Sequence, residues 1–151
     1  MTMDQFRRLA YVSLRDQAVK ERVVSTLETA GWTSIDQPTG YHVLCSMADV
    51  IEGEQTWRRP ALIVIDAFAR GCAGTTIALG LRDLGIAIPI VLVTAPGQPV
   101  PITSTDPMLH VVDSAAAPQA VAGIVGAAAS HISQEDRCNQ TPISRTSSHA
   151  A

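Results

Sequence analysis

Asp66 ends the most apolar run of the sequence, Ala61 to Ile65. A run of that kind suits a parallel strand covered on both faces, and α/β sheets collect their ligand chemistry at the carboxyl ends of such strands. Asp66 is therefore a candidate acceptor or ligand group, set against the plainer role of a loop or capping aspartate. Other chemistry finds little support. Gly71 to Thr76 lacks the lysine of a P-loop, no G-x-G-x-x-G follows the first strand, and there is no G-x-S-x-G. His42, His110, His131 and His149 form no motif. Cys45, Cys72 and Cys138 have neither C-x-x-C spacing nor histidines at metal-ligand distances, and reduced, mostly buried thiols in a cytosolic protein account for them.

The elements that position Asp66 follow from periodicity. Leu9 to Leu14 reads as a strand, and Asp16 as the N-cap of a helix whose Val19, Val23, Leu27 and Ala30 share one face, stopped by Gly31. Trp32 to Gln37 predicts a second strand, and Val43, Leu44, Met47 and Ile51 a second helix face. Glu52 to Pro60 reads as a loop. After Asp66, Ile77, Leu81 and Leu84 recur at helical spacing before Gly85. Ile88 to Val93 is another buried strand. Pro96, Pro99, Pro101 and Pro107 then remove donors and fix φ, so a helix between Ala95 and Pro107 is short or absent. Met108 to Val112 makes a fifth strand, and Pro118 opens a last helix carrying Val121, Ile124, Val125 and Ala128.

Strands alternating with helices through right-handed crossovers imply an α/β, doubly wound parallel sheet of order 2-1-3-4-5. Its carboxyl edge collects residues 13–16, 66, 94 and 113. The expected organisation is one domain over 8–129 and a flexible, polar tail over 130–151.

Composition excludes several function classes. The 151 residues are 46% hydrophobic and 17% charged, which suits a packed globule, and only 4% aromatic, so aliphatic packing dominates. The net charge is -3 and the arginines are scattered, which leaves no footprint for nucleic acid. The apolar stretch after Arg7 and Arg8 is too short for a signal sequence, and no run approaches the ~20 residues that span a bilayer. A cytoplasmic protein with no membrane or nucleic-acid partner is expected.

The sequence from Asp66 through Arg70, Gly71, Cys72 and Gly74 resembles the response-regulator receiver pattern of aspartate, three variable residues, proline, glycine, two residues and glycine, with Arg70 in place of the proline. Thr94-Ala95 resembles the hydroxyl residue and small residue that end the next strand. The resemblance covers about residues 8 to 128. It implies a flavodoxin-like, CheY-like fold, with Asp66 as the phosphoacceptor equivalent, Thr94 as the hydroxyl that responds to the phosphoryl group, and His110 at the aromatic switch position.

The departures carry more information than the matches. Receivers hold magnesium with two acidic residues after the first strand, and alignment through Gly31-Trp32 puts Leu14 and Arg15 there, with Asp16 the nearby acid. An alkyl chain and a guanidinium offer no ligands to a hard cation, so magnesium binding is expected to be weak or absent, and no other cofactor is implied. The lysine after the fifth strand is Asp113 here, and the sequence has a single lysine, Lys20, on the first helix. Arg15 could replace the metal by pairing its guanidinium with Asp66 or Asp113, and on that reading Arg15→Ala destabilises the domain.

The leading expectation is an atypical stand-alone receiver, not an enzyme, that acts by binding another protein. A histidine kinase, an output protein or a second copy of the chain would be the partner. Two alternatives stand beside it: a working phosphoacceptor in a two-component phosphorelay using Asp66 with Asp16 and Asp113, and a small-ligand-binding or enzymatic protein on the same fold.

Overall fold

The computed structural model describes residues 8–53, 59–100 and 105–127. Five strands lie in one parallel sheet: β1 (Leu9–Ser13), β2 (Thr33–Asp36), β3 (Leu62–Asp66), β4 (Ile90–Thr94) and β5 (Leu109–Asp113). Their order is β2-β1-β3-β4-β5, the order expected from the sequence. The helices are α1 (Gln17–Thr29), α2 (Gly40–Ile51), α3 (Gly74–Asp83) and α4, residues 117–127.

Side-chain alternation along the strands divides the core into two layers. Tyr11, Ile63, Ile65 and Leu92 point to one face, where Val43 and Met47 of α2 and Ile77 and Leu81 of α3 cover them. Val12, Val64 and Val91 point to the other, under Val23 and Leu27 of α1 and Val121 and Val125 of α4. β3 is buried on both faces from Leu62 to Ile65, so Asp66 is the first residue of that strand to reach solvent.

Two helix faces differ from expectation. In α2 the buried set is Gly40, Val43, Met47 and Val50, while Leu44 and Ile51 are 45% and 47% exposed. In α3 it is Gly74, Ile77, Ala78 and Leu81, with Leu84 at 64% exposure. The apolar residues of each helix cover an arc wider than the sheet can bury, so one edge of each stays open. Cys45 is also exposed, against the expectation of buried thiols, because it follows Leu44 round to the solvent side of α2.

No helix occurs between β4 and β5 among residues 95–100 and 105–108. Arg82 ties the end of this proline-rich connection to the rest of the fold. Its Nε donates to Asp106 Oδ2, Nη1 donates to the Ile86 carbonyl at 2.7 Å and Nη2 to the Ile88 carbonyl at 2.7 Å. Asp106 in turn accepts the Met108 amide at 2.9 Å, which sets the start of β5. The expected tail lies outside the described residues, as do the central part of the loop before β3 and residues 101–104.

Candidate functional site

The carboxyl ends of β1, β3, β4 and β5 meet around a cleft of about 440 Å³. Asp66, Thr94, Leu14, Arg15 and Asp16 all line it, so the fold gathers most of the residues that the sequence singled out. Phe68, Pro96, Gln98 and Ser114 complete the wall, and sequence reasoning missed them. Phe68 is 48% exposed on the loop after β3, and its only signal was its place two residues after Asp66.

Asp66 is half-buried, and its Oδ2 accepts the backbone amide of Arg15 at 2.7 Å. The Arg15 guanidinium forms no ion pair with it. Among the described residues the ion pairs are Lys20–Asp36 and Arg82–Asp106. The expected guanidinium pairing is thus corrected: at the mouth of the cleft the Arg15 side chain stays exposed to water, and the backbone supplies the bond. Burial pushes the Asp66 carboxyl above the usual carboxylate range, the Arg15 amide and charge pull it back, and the charge of Asp16 adds to the rise.

The two neighbouring carboxylates are occupied by the backbone. Asp16 is the N-cap of α1, with Oδ1 accepting Ala18 N at 3.0 Å and Val19 N at 3.3 Å. Asp113 accepts Ala116 N at 2.9 Å and so shapes the turn into α4. Both are stable local uses of a short carboxylate side chain. Asp113 does not meet Arg15. Leu14, at the acidic-pair position, is buried at 8% exposure and packs against the core layer beneath α1 and α4.

Thr94 is 7% exposed, and its hydroxyl donates to the Val112 carbonyl across the β4–β5 pair at 3.4 Å. The pairing turns the hydroxyl toward β5. His110 stands partway down β5 opposite Val91, half-buried and outside the lining of the cleft.

No group of three or more His, Cys, Asp or Glu side chains suited to a metal ion occurs among the described residues. The donor set around Asp66 does not fit a magnesium site: Leu14 offers no oxygen, and Asp16 has turned Oδ1 to helix capping. The loop carrying this end of the sheet is nonetheless tightly held. Gly40 N donates to the Arg70 carbonyl at 3.0 Å, which pins the β3–α3 loop against the start of α2.

No protein-family model matches the chain, and no curated protein matches it in sequence. Solved structures do match in fold. A response regulator receiver domain protein from Bacillus halodurans superposes with a TM-score of 0.58 at 11% identity, over 79% of this chain and 93% of that one. The N-terminal domain of a response regulator/sensory box/GGDEF protein from Carboxydothermus hydrogenoformans gives 0.58 at 19% identity, over 84% and 98%. The signal receiver domain of the response regulator NarL from Mycobacterium tuberculosis gives 0.57 at 15% identity, over 81% and 95%. The chain therefore has the flavodoxin-like fold of a response-regulator receiver domain. No helix among the described residues is long and apolar enough to cross a membrane.

Proposed function

We propose that this chain is a signalling module of the receiver type that works through contact with another protein, with little or no magnesium-dependent phosphorylation of Asp66. The receiver fold supports the signalling role. The observation that carries the finer reading is the use made of the residues around Asp66: Asp16 caps α1, Asp113 caps the turn into α4, and Leu14 is buried.

Phosphoryl transfer is accelerated by positive charge gathered around the equatorial oxygens of the transferred group. Here a buried leucine stands at the magnesium-holding position and an aspartate at the lysine position. Among the described residues that line the cleft, Arg15 is the one that carries a cation, and its side chain is exposed. Asp66 then serves the fold through its bond to the Arg15 amide, and the partner is another signalling protein, a kinase or an output protein. Cytoplasmic location follows from this role.

The test is a titration with magnesium and beryllofluoride, a phosphoryl mimic, while the backbone amide shifts of Asp66, Thr94 and their neighbours are followed. The expected result is no saturable change. Saturable shifts centred on Asp66 would establish phosphoacceptance and overturn the reading.

A further inference from the structure

Between α2 and α3, on the face away from the Asp66 cleft, runs an apolar groove of about 370 Å³. Its walls include Leu44 and Ile51 of α2 and Leu84 just after α3, each of them close to half exposed or more. Its ends differ in charge. At one end lie the N-termini of α2 and α3 and the thiol-bearing loop at Cys72. At the other lie both helix C-termini, Glu52, which lines the groove, and Asp83, which is exposed on the same helical row as the groove residues Thr76 and Gly80.

Helix C-termini carry partial negative charge, so this end combines two carboxylates with two negative dipole ends. α2 has no basic residue in its last turn, and the one in α3, Arg82, is turned away to Asp106. Glu52 and Asp83 make no ion pair among the described residues.

We infer that this groove docks an amphipathic helix of a partner protein whose apolar face fills the space along Leu44, Ile51 and Leu84 and whose lysine- or arginine-bearing end lies against Glu52 and Asp83. Charge complementarity selects this occupant over a second copy of the chain. Among the described residues that line the groove, a second copy would bring no lysine or arginine, and its Arg82 at the end of α3 is held by Asp106. Helix-in-groove recognition uses apolar anchors at i, i+3 or i+4 and i+7, and opposite charge at the rim then fixes direction. The inference rests on the reading of the chain as a protein-contact module and names the contact surface. It is separable from the chemistry at Asp66, because phosphoacceptance there would leave the groove unchanged.

The experiment is a selection from a phage-displayed library of random amphipathic helical peptides against the full chain, followed by fluorescence anisotropy with the enriched peptides. The expected result is enrichment of peptides with apolar residues at helical spacing and Lys or Arg at one end. Their affinity should fall about ten-fold or more in Leu44→Glu and in Ile51→Glu, as loss of a central apolar anchor does. Both positions are half exposed, and unchanged melting of either variant establishes that the fold is kept. Glu52→Gln combined with Asp83→Asn should weaken the basic-ended peptides and leave neutral ones unaffected.

Several results would overturn the inference. One is no enrichment, and another is peptides without basic ends that bind the groove equally well. A third is binding that ignores both apolar variants. Self-association of the chain that Leu44→Glu abolishes would give the groove to a second copy.

Discussion

The amide of Arg15 donates to Asp66 Oδ2 at 2.7 Å, while the Arg15 side chain is exposed and unpaired with that carboxylate. Any residue other than proline can supply this bond. Arg15→Ala should therefore change stability by no more than about 0.5 kcal/mol. It should still raise the Asp66 titration, because the guanidinium charge that favours the ionised form is gone. Carboxyl-carbon NMR titration checks the second point and urea unfolding the first. A large loss of stability would show that the guanidinium itself holds the site.

Burial raises the folded-state pKa of Asp66 above its unfolded value. The folded state then binds a proton over a range of pH in which the unfolded state has lost it, so stability falls as pH rises through that range. Asp66→Asn removes the charge and keeps an oxygen for the Arg15 amide. It should raise Tm by about 2 °C at neutral pH, and the gain should vanish below the ordinary carboxylate range. Calorimetry across pH measures both, and a gain independent of pH would exclude the burial explanation.

Two glycines give opposite predictions. A Cβ on Gly40 would lie 1.8 Å from the Cys72 carbonyl oxygen and 2.9 Å from its carbon, and this is backbone that cannot turn aside. Gly40→Ala should cost at least about 2 kcal/mol, the scale of overpacking at a site that cannot relax. Gly80 lies inside α3 with nothing within 4 Å of a built Cβ. Gly80→Ala should stabilise by about 0.5–1 kcal/mol through helix propensity. Urea midpoints compare the two.

Arg82 and Asp106 join α3 to the connection that precedes β5. The bond from Arg82 holds the Asp106 carboxyl below its usual range. Its contribution is therefore present above the ordinary carboxylate pKa and is lost as pH falls through the lowered one. Arg82→Met should flatten this part of the acid dependence and speed hydrogen exchange at the Met108 amide about ten-fold by local opening. Unchanged exchange at Met108 would show that the turn holds without the clamp.

Asp113→Lys puts a lysine at the position where receivers carry one. It removes the bond to the Ala116 amide, and it should cost about 1 kcal/mol, as loss of a cap does. Acetyl phosphate with magnesium should still leave the variant unmodified by intact mass, because Leu14 supplies no metal ligand. Phosphorylation of this variant alone would identify the missing lysine as the sole block.

The strand-helix alternation, the sheet order and the place of Asp66 at the end of β3 were legible in the sequence because each rests on a pattern repeated over many residues. The want of a lysine at Asp113 was legible too, since the sequence holds only Lys20. Tertiary structure decided how single side chains are spent. Arg15 and Asp66 are 51 positions apart, and Arg82 and Asp106 are 24 apart. Which atom of Arg15 reaches the carboxylate depends on how the chain turns from β1 into α1 beside the end of β3, and Asp106 meets Arg82 only where the residues before β5 come beside the end of α3. Periodicity likewise marked the apolar arcs of α2 and α3, but how much of each arc the sheet could cover depended on packing. The uncovered remainder is the groove at Leu44, Ile51 and Leu84. Local patterns sum along the chain and survive without the fold, whereas a hydrogen-bond partner or an uncovered edge exists only once distant segments meet.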